Sequence, residues 1–208
     1  MRLTITDDAP NLAELRADLI ARGHDYLTRA RANAAINNAY FELANLYDWP
    51  FLEYIDTVST PLELRGVRKV ISVNNTLTHA PVTYIDHSVI ARSGQRLDQI
   101  GTASYYSLMG DILWLHPDEP ADFDVHYVGT VSQLVDDTDQ VHIPRKYKQT
   151  LVDGANLWAL KEDNNYEAIA ALRQEWDRGV QQMVTSEFRR HSNPDFIVVT
   201  QASDDWAC

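Results

Sequence analysis

The stretch 103–128 constrains the fold more than any other part of the sequence, because its pattern is typical of β-strands. Near its end, apolar residues alternate with polar ones, which predicts a strand with one buried and one exposed face. The apolar members are Phe123, Val125 and Tyr127. Residues 112–115 are apolar throughout, which predicts a central strand covered on both faces. Turn residues at 110–111 and 117–120 separate these runs, so we expect a three-stranded antiparallel meander.

Helical periodicity surrounds this β-rich part. Apolar residues spaced by three and four predict one helix that starts near Asp7 or Asp8 and ends at Gly23, and a second over about 26–47. Pro144 at a first helical position predicts a third helix, and a fourth is expected over about 164–190. Strands are also predicted at 51–58, 67–73 and 82–85, from their aromatic and β-branched residues.

These elements predict an α+β protein whose main body is a helical bundle. Two N-terminal and two C-terminal helices would form the body, with an inserted antiparallel β subdomain and an extended C-terminal tail. The expected units are N-terminal helices at 1–50, the β-rich insertion at 51–140, C-terminal helices at 141–192 and the tail at 193–208.

The charge balance argues against a protein that reads nucleic acid. The chain has 30 acidic and 18 basic residues, a formal net charge of -12, and such a surface repels phosphates. It remains compatible with a protein that surrounds DNA without gripping it. The single cysteine, Cys208, excludes an internal disulfide and a cysteine-based zinc site. No signal peptide and no membrane-spanning run of about 18 apolar residues is recognisable, so we expect a soluble protein made inside the cell, with no membrane partner.

No motif of a familiar catalytic class is present in the sequence. Glycine-rich phosphate loops, a nucleophile elbow and helical metal-binding histidine pairs are all missing. His116 and His126 lie on strands that we expect to be adjacent, but a metal site needs further ligands aimed at the same point. We therefore interpret them as half-exposed strand residues, and we predict no enzymatic activity, no metal and no cofactor.

Two groups of carboxylates are candidate cation sites. The first surrounds the turn at 117–120 and comprises Asp118, Glu119, Asp122 and Asp124; the second comprises Asp136, Asp137 and Asp139. Oxygen ligands suit Ca²⁺ or Mg²⁺, but the spacing lacks the glycine and the distal glutamate of an EF-hand, and solvated turns are the favoured interpretation. A small metal-dependent hydrolase remains an alternative, with Asp118, Asp122, Asp124 and His126 at its centre.

The tail after Asn193-Pro194 is unexpectedly apolar. Its large apolar residues are Phe196, Ile197, Val198, Val199 and Trp206. Two interpretations stay open: an extra strand on its own domain, or an extended arm that docks on another protein. Trp206 falls on no predicted core stripe and is a candidate interface anchor.

Several different short motifs follow one another along the chain in a characteristic order. They are Ile36-Asn-x-Ala39-Tyr-x-Glu42-Leu, Asp48-Trp-Pro-Phe-Leu52, Tyr105-Tyr-Ser-Leu-x-Gly-Asp111-x-Leu113-x-Leu-x-Pro117, Val125-x-Tyr127, Ile143-Pro-x-x-Tyr147 and Leu151-Val-x-Gly154-Ala155. Together they resemble the head-to-tail connector (adaptor) proteins of tailed bacteriophages. The order and spacing of the motifs carry this resemblance, which covers about residues 12–190.

The resemblance implies a non-enzymatic structural protein in the neck of the virion, made in the host cytoplasm. A ring of about twelve copies would sit beneath the portal, bind a tail or gatekeeper protein below, and surround the DNA. The tail residues Phe196–Val199 and Trp206 would dock on the portal. The acidic β hairpin, with Asp118, Glu119, Asp122 and Asp124, would face the tail. A tail-completion or gatekeeper protein is the alternative within the same class.

Overall fold

A computed structural model describes residues 9–59, 62–93, 100–119, 121–162 and 166–191. Within these ranges the chain forms five α-helices and seven β-strands. In order they are α1 (Leu12–Ala21), α2 (Arg29–Leu46), β1 (Glu53–Ser59), β2 (Leu62–Glu63), β3 (Val67–Asn75), β4 (Pro81–Tyr84), α3 (His87–Ser93), β5 (Tyr105–Met109), β6 (Ile112–His116), β7 (Asp122–Gly129), α4 (Lys148–Glu162) and α5 (Tyr166–His191). Short 3-10 turns at Pro50–Leu52 and Arg145–Tyr147 precede β1 and α4.

The four predicted helices are present, and local side chains set their ends. Asn11 caps α1 by accepting a hydrogen bond from the Glu14 amide, and Thr28 caps α2. The predicted start of the first helix, Asp7 or Asp8, lies outside the described residues. Gly23, with φ of 95°, lies just after the end of α1, in a conformation that favours glycine.

The strands form one sheet in the order β1-β7-β3-β4-β5-β6-β2. Neighbouring strands are antiparallel except β4 and β5, which run parallel, so the prediction of a purely antiparallel sheet is wrong. The prediction of a three-stranded meander is wrong in the pairing of its third strand. β5 and β6 form the expected hairpin, whereas β7 lies between β1 and β3. The alternation over 122–128 identifies a strand, but it is the same whichever strands lie beside it.

Chain connectivity requires the sheet to curl. Only residues 60 and 61 separate Ser59 of β1 from Leu62 of β2, which limits the distance between their Cα atoms to ~11 Å. In a flat sheet with strands ~4.8 Å apart, these two outermost strands would be ~29 Å apart. The curl encloses a core to which strands across the sheet contribute. Its members are Leu64, Val73, Val82, Tyr106, Leu113, Leu115, Phe123 and Val125, and the partly buried Val58 packs against them.

A second and larger core lies between the helices and the end of the sheet. It contains apolar residues of α1, α2, α4 and α5, but also Leu52, Val128 of β7, and Leu134, Val141 and Ile143 from the connection after β7. The helices therefore do not bury their apolar faces on one another alone. The α+β class is right, but the predicted helical-bundle body is wrong, because the helices share their core with β7 and the 130–144 connection.

Candidate interaction surfaces

A buried asparagine on α2 ties this helix to the connection after β7. The Asn37 side chain accepts a hydrogen bond from the Leu134 amide at 2.8 Å and donates one to the Leu134 carbonyl oxygen at 3.0 Å. Both partners are buried. Asn37 thus satisfies two backbone groups that would otherwise lie unpaired in the core.

Tyr40 and Glu42, two further residues of the motif that begins at Ile36, also bind parts of the chain that are distant in sequence. The Tyr40 hydroxyl accepts a hydrogen bond from the His142 amide at 2.9 Å, and Tyr40 is fully buried. Burial raises the pKa of Tyr40 well above its usual range, so its hydroxyl stays protonated. Glu42 accepts a hydrogen bond from the indole of Trp158 at 2.9 Å. The first resemblance motif is therefore a set of anchors that hold α4 and the 130–144 connection against α2.

The second motif joins the end of α2 to the sheet. Asp48 lies 2.6 Å from the guanidinium of Arg68 and 2.8 Å from the ammonium of Lys69, both on β3. The hydrogen bonds from Lys69 and from Arg68 lower the pKa of Asp48. Trp49 is fully buried and donates its indole hydrogen to the Leu43 carbonyl oxygen at 2.8 Å. These contacts fix the turn from the helical layer into β1.

A glycine allows three helices to approach closely. A Cβ atom at Gly154 on α4 would lie 2.7 Å from the indole nitrogen of Trp176 on α5 and 3.1 Å from the Cβ of Ala39 on α2. Such distances are shorter than van der Waals contact, so a larger residue would force the helices apart. The last motif, like the first, therefore encodes packing between elements.

The predicted acidic hairpin does not exist as a hairpin, because β6 and β7 are not neighbours in the sheet. Three of its four carboxylates accept hydrogen bonds from other residues of the chain. Glu119 accepts from the Ala103 amide at 2.8 Å, Asp122 from the Ser59 hydroxyl at 2.9 Å and Asp124 from the Thr57 hydroxyl at 2.6 Å. Asp118 and Asp122 are exposed. We call these four residues, which lie in the turn after β6 and at the start of β7, the acidic turn. Their carboxylates are spread along the surface and do not converge on one point.

His116 and His126 do not share a site. His116 lies inside the curled sheet, 2.7 Å from the hydroxyl of Ser107, whereas His126 pairs with Glu53 at 3.1 Å. Burial lowers the pKa of His116, and the neighbouring His87 lowers it further. The serine and histidine have the spacing of a nucleophile and its base, but the Ser107 side chain is fully buried.

The residues of the alternative hydrolase site do not converge on one point. Asp122, Asp124 and His126 follow one another along β7, and each is occupied by a different partner on β1. Within the described residues, no group of three or more histidine, cysteine or acidic side chains is arranged to hold a metal ion. The geometry therefore gives no support to a metal-dependent reaction there.

The second carboxylate group is occupied by cations and amides of the same chain. Asp137 lies 2.9 Å from Arg16 and 2.8 Å from Arg29, and the hydrogen bond from Arg16 lowers the pKa of Asp137. Asp139 accepts hydrogen bonds from two backbone amides, which lower its pKa. These residues close the 130–144 connection against α1 and α2.

An open groove of about 810 Å³ follows one face of α5. It is lined by Lys146, Arg178, Gln181, Gln182, Thr185, Ser186 and Arg189, which recur at helical spacing. The buried Glu187 lies beneath and accepts hydrogen bonds from Lys146 and Tyr147, both at 2.6 Å. The groove is wide and open, and no nucleophile-base hydrogen bond occurs among its described lining residues, so it resembles a contact surface more than an active site.

A cluster of aromatic rings lies where α5 ends. Phe188 packs against Tyr47 and Trp49, with ring centroids 6.3 and 6.1 Å apart, and Trp49 stacks on Phe51 at 5.4 Å. Leu46, Tyr47 and Phe188 remain 42%, 36% and 40% exposed. We call these three residues the apolar patch. The predicted portal-docking residues, Phe196–Val199 and Trp206, follow α5 in the sequence and lie outside the described residues.

Sequence reasoning missed the anchoring roles of Asn37 and Glu187. The signal for Asn37 was available, since a polar residue between buried Ile36 and Tyr40 on one helical face needs a partner. The signal for Glu187 was weaker, because a glutamate near the end of a long polar helix is usually solvated.

Comparisons with known proteins agree with the motif pattern. A family model described as SU10 adaptor protein matches residues 3–197, which is nearly the whole chain. No curated protein matches the sequence. In the part of the chain that the structure describes, no helix is long and apolar enough to cross a membrane.

Proposed function

Because the chain belongs to the SU10 adaptor protein family, which confirms its relation to phage head-to-tail adaptors, we propose that it links the portal to the tail in the virion neck. The observation that carries this proposal is the extent of the match, which includes both the helical layer and the curled sheet. The contacts of Asp48 with Arg68 and Lys69, and the core that the helices share with Val128, support a structural role, because they hold the helical layer against the sheet.

The proposed assembly is a ring of about twelve copies beneath the portal, with DNA passing through its lumen. The net charge of -12 supports this arrangement, since phosphates slide past carboxylates without adhering. Tail or gatekeeper proteins would bind below the ring.

Two surfaces would make the contacts above and below. The tail residues Phe196–Val199 and Trp206 would dock on the portal, as apolar residues that gain by burial in a partner. The acidic turn, with Asp118, Glu119, Asp122 and Asp124, would face the downstream tail protein. We propose no enzymatic activity and no cofactor, in keeping with the dispersed carboxylates and the buried Ser107.

Electron microscopy of the purified chain with and without portal rings tests the proposal. We expect rings only on the portal, and we expect deletion of the residues after Asn193 to abolish them. The paired variant Asp118→Asn/Asp122→Asn should still bind the portal but lose the downstream protein. A truncated chain that assembles normally on the portal would refute the docking role of the tail.

Two outcomes favour the alternatives. Binding to a downstream tail protein, with none to the portal, would identify a gatekeeper. Stoichiometric, tightly bound Zn²⁺ or Mn²⁺ in the purified protein would contradict the non-enzymatic role.

A further inference from the structure

The open groove on α5 is lined by hydrogen-bond donors and by positive charge. Every lining side chain carries an N–H or O–H group, and none of them carries a carboxylate. They are Lys146, Arg178, Gln181, Gln182, Thr185, Ser186 and Arg189. This composition contrasts with the whole chain, in which 30 acidic residues outnumber 18 basic ones. The groove therefore suits an anionic ligand, unlike the acidic turn.

The carboxylate beneath the groove does not cancel this charge. Glu187 is 4% exposed and accepts hydrogen bonds from the Lys146 ammonium and the Tyr147 hydroxyl, both at 2.6 Å. Among the lining residues and Glu187, three positive charges against one negative charge leave a net charge of +2. Arg178 and Arg189 are exposed and stand at the two ends of the lining part of α5.

The lining residues of α5 form one straight face. From Arg178 to Arg189 they are spaced by three and four, which places them on the same side of the helix. At about 1.5 Å per residue, this face is ~17 Å long. Each strand of a DNA duplex carries a phosphate for about every 3.4 Å of its axis, so the face matches ~5 successive phosphates in length.

The types of side chain favour a nucleic acid backbone over a protein as the ligand. The core of a protein–protein interface is usually formed by aromatic and other apolar side chains, and the lining residues of the groove include none. Arginine, lysine, glutamine, serine and threonine are the side chains with which proteins contact phosphate oxygens. Such contacts position a duplex without reading its bases.

We propose that this face of α5 binds the phosphate backbone of double-stranded DNA without sequence specificity. The inference rests on the proposed function for the identity of the anion, since DNA passes through the neck. Binding is weak and easily released, because few phosphates are neutralised and the chain as a whole has a net charge of -12. The face would hold the DNA locally, while the acidic surfaces keep it from adhering elsewhere.

Nuclear magnetic resonance titration of the full chain with a short DNA duplex tests the proposal. Amide signals of residues 178–189 should shift as duplex is added. With about two or three phosphates neutralised, the affinity should fall about 10- to 40-fold when the salt concentration rises from about 50 to about 200 mM.

Two variants that remove the same charge locate the contact. Arg178→Gln should weaken binding and reduce the slope of log affinity against log salt by about one. The matched control is Arg31→Gln, at an exposed position on α2 outside the groove, and it should leave the slope unchanged. Absence of shifts in α5 at low salt, or equal losses in the two variants, would overturn the proposal.

A polyglutamate of the same charge as the duplex distinguishes the two classes of anion. Tighter binding of the duplex than of polyglutamate supports the proposal. Tighter binding of polyglutamate would point to an acidic protein segment and overturn the assignment to DNA. The result is separable from the proposed function. Rings on the portal without DNA binding at α5 refute this inference alone, whereas DNA binding by a chain that forms no rings refutes only the adaptor role.

Discussion

Replacement of Asn37 by alanine should be among the most destabilising changes of a single polar residue in this protein. The alanine variant leaves the amide and the carbonyl of Leu134 without partners at a buried position. Each buried group left unsatisfied costs about 1–3 kcal/mol. The higher helix propensity of alanine raises the free energy of unfolding by about 0.5 kcal/mol. With two such groups, the expected net loss in the free energy of unfolding is therefore about 1.5–5.5 kcal/mol.

The neighbouring residue supplies a matched control. Asn38 lies on the same helix but is exposed, so Asn38→Ala gains the same helix propensity and loses no buried hydrogen bond. This variant should be as stable as the natural chain or slightly more stable. Asn37→Asp should be at least as harmful as Asn37→Ala at pH 7, because its carboxylate would face the Leu134 carbonyl oxygen in the core.

Urea unfolding followed by far-ultraviolet circular dichroism measures these differences. For a chain of this size, 1 kcal/mol corresponds to about 2–4 °C in Tm, so thermal melts provide an independent check. If Asn37→Ala and Asn38→Ala differ by less than about 0.5 kcal/mol, the two hydrogen bonds to Leu134 do not carry the stability assigned to them.

Three further predictions follow from buried groups, each measured by urea unfolding. Gly154→Ala should lose about 1 kcal/mol, because overpacking of about 1–3 kcal/mol exceeds the gain in helix propensity; an increase in stability would contradict the close helix contact. Tyr40→Phe should lose about 1–2 kcal/mol by leaving the His142 amide unpaired, whereas Tyr84→Phe, at an exposed position, should lose nothing. Burial lowers the pKa values of His116 and His142, so the unfolded chain binds more protons below its histidine pKa of about 6.5. Stability should therefore be constant above about pH 6.5 and fall as the pH drops towards the folded-state pKa values; a variant with asparagine at both positions should lose less between pH 7.5 and 5.5.

The sequence predicts individual elements better than their neighbours. Helical spacing located α2 and α5 within a few residues, because one buried face is a local property of the chain. The position of β7 between β1 and β3 could not be read in this way, since pairing across the sheet depends on residues far apart in sequence. The prediction of a helical-bundle body was wrong for the same reason. No local sequence pattern shows that Val128 of β7 completes the core of the helices.

The candidate site was predictable only as a set of motifs. Their order identified the family, but the reason for each residue depends on distant partners, such as Leu134 for Asn37 and Trp176 for Gly154. The carboxylates of the acidic turn looked like a possible cation site because the sequence does not reveal that Ser59 and Thr57 occupy two of them.

The position of β7 between β1 and β3 also determines when the protein can fold during synthesis. β1 has no described partner other than β7, so it waits until residues 122–129 have left the ribosome. α2 likewise packs on α4, which is made later still. Apolar residues of α2 and β1 therefore stay exposed until β7 and α4 have been made, and chaperones that hold nascent chains are the natural protection for them. A product that terminates before residue 129 would keep those residues exposed and aggregate, whereas the complete chain can close both cores together.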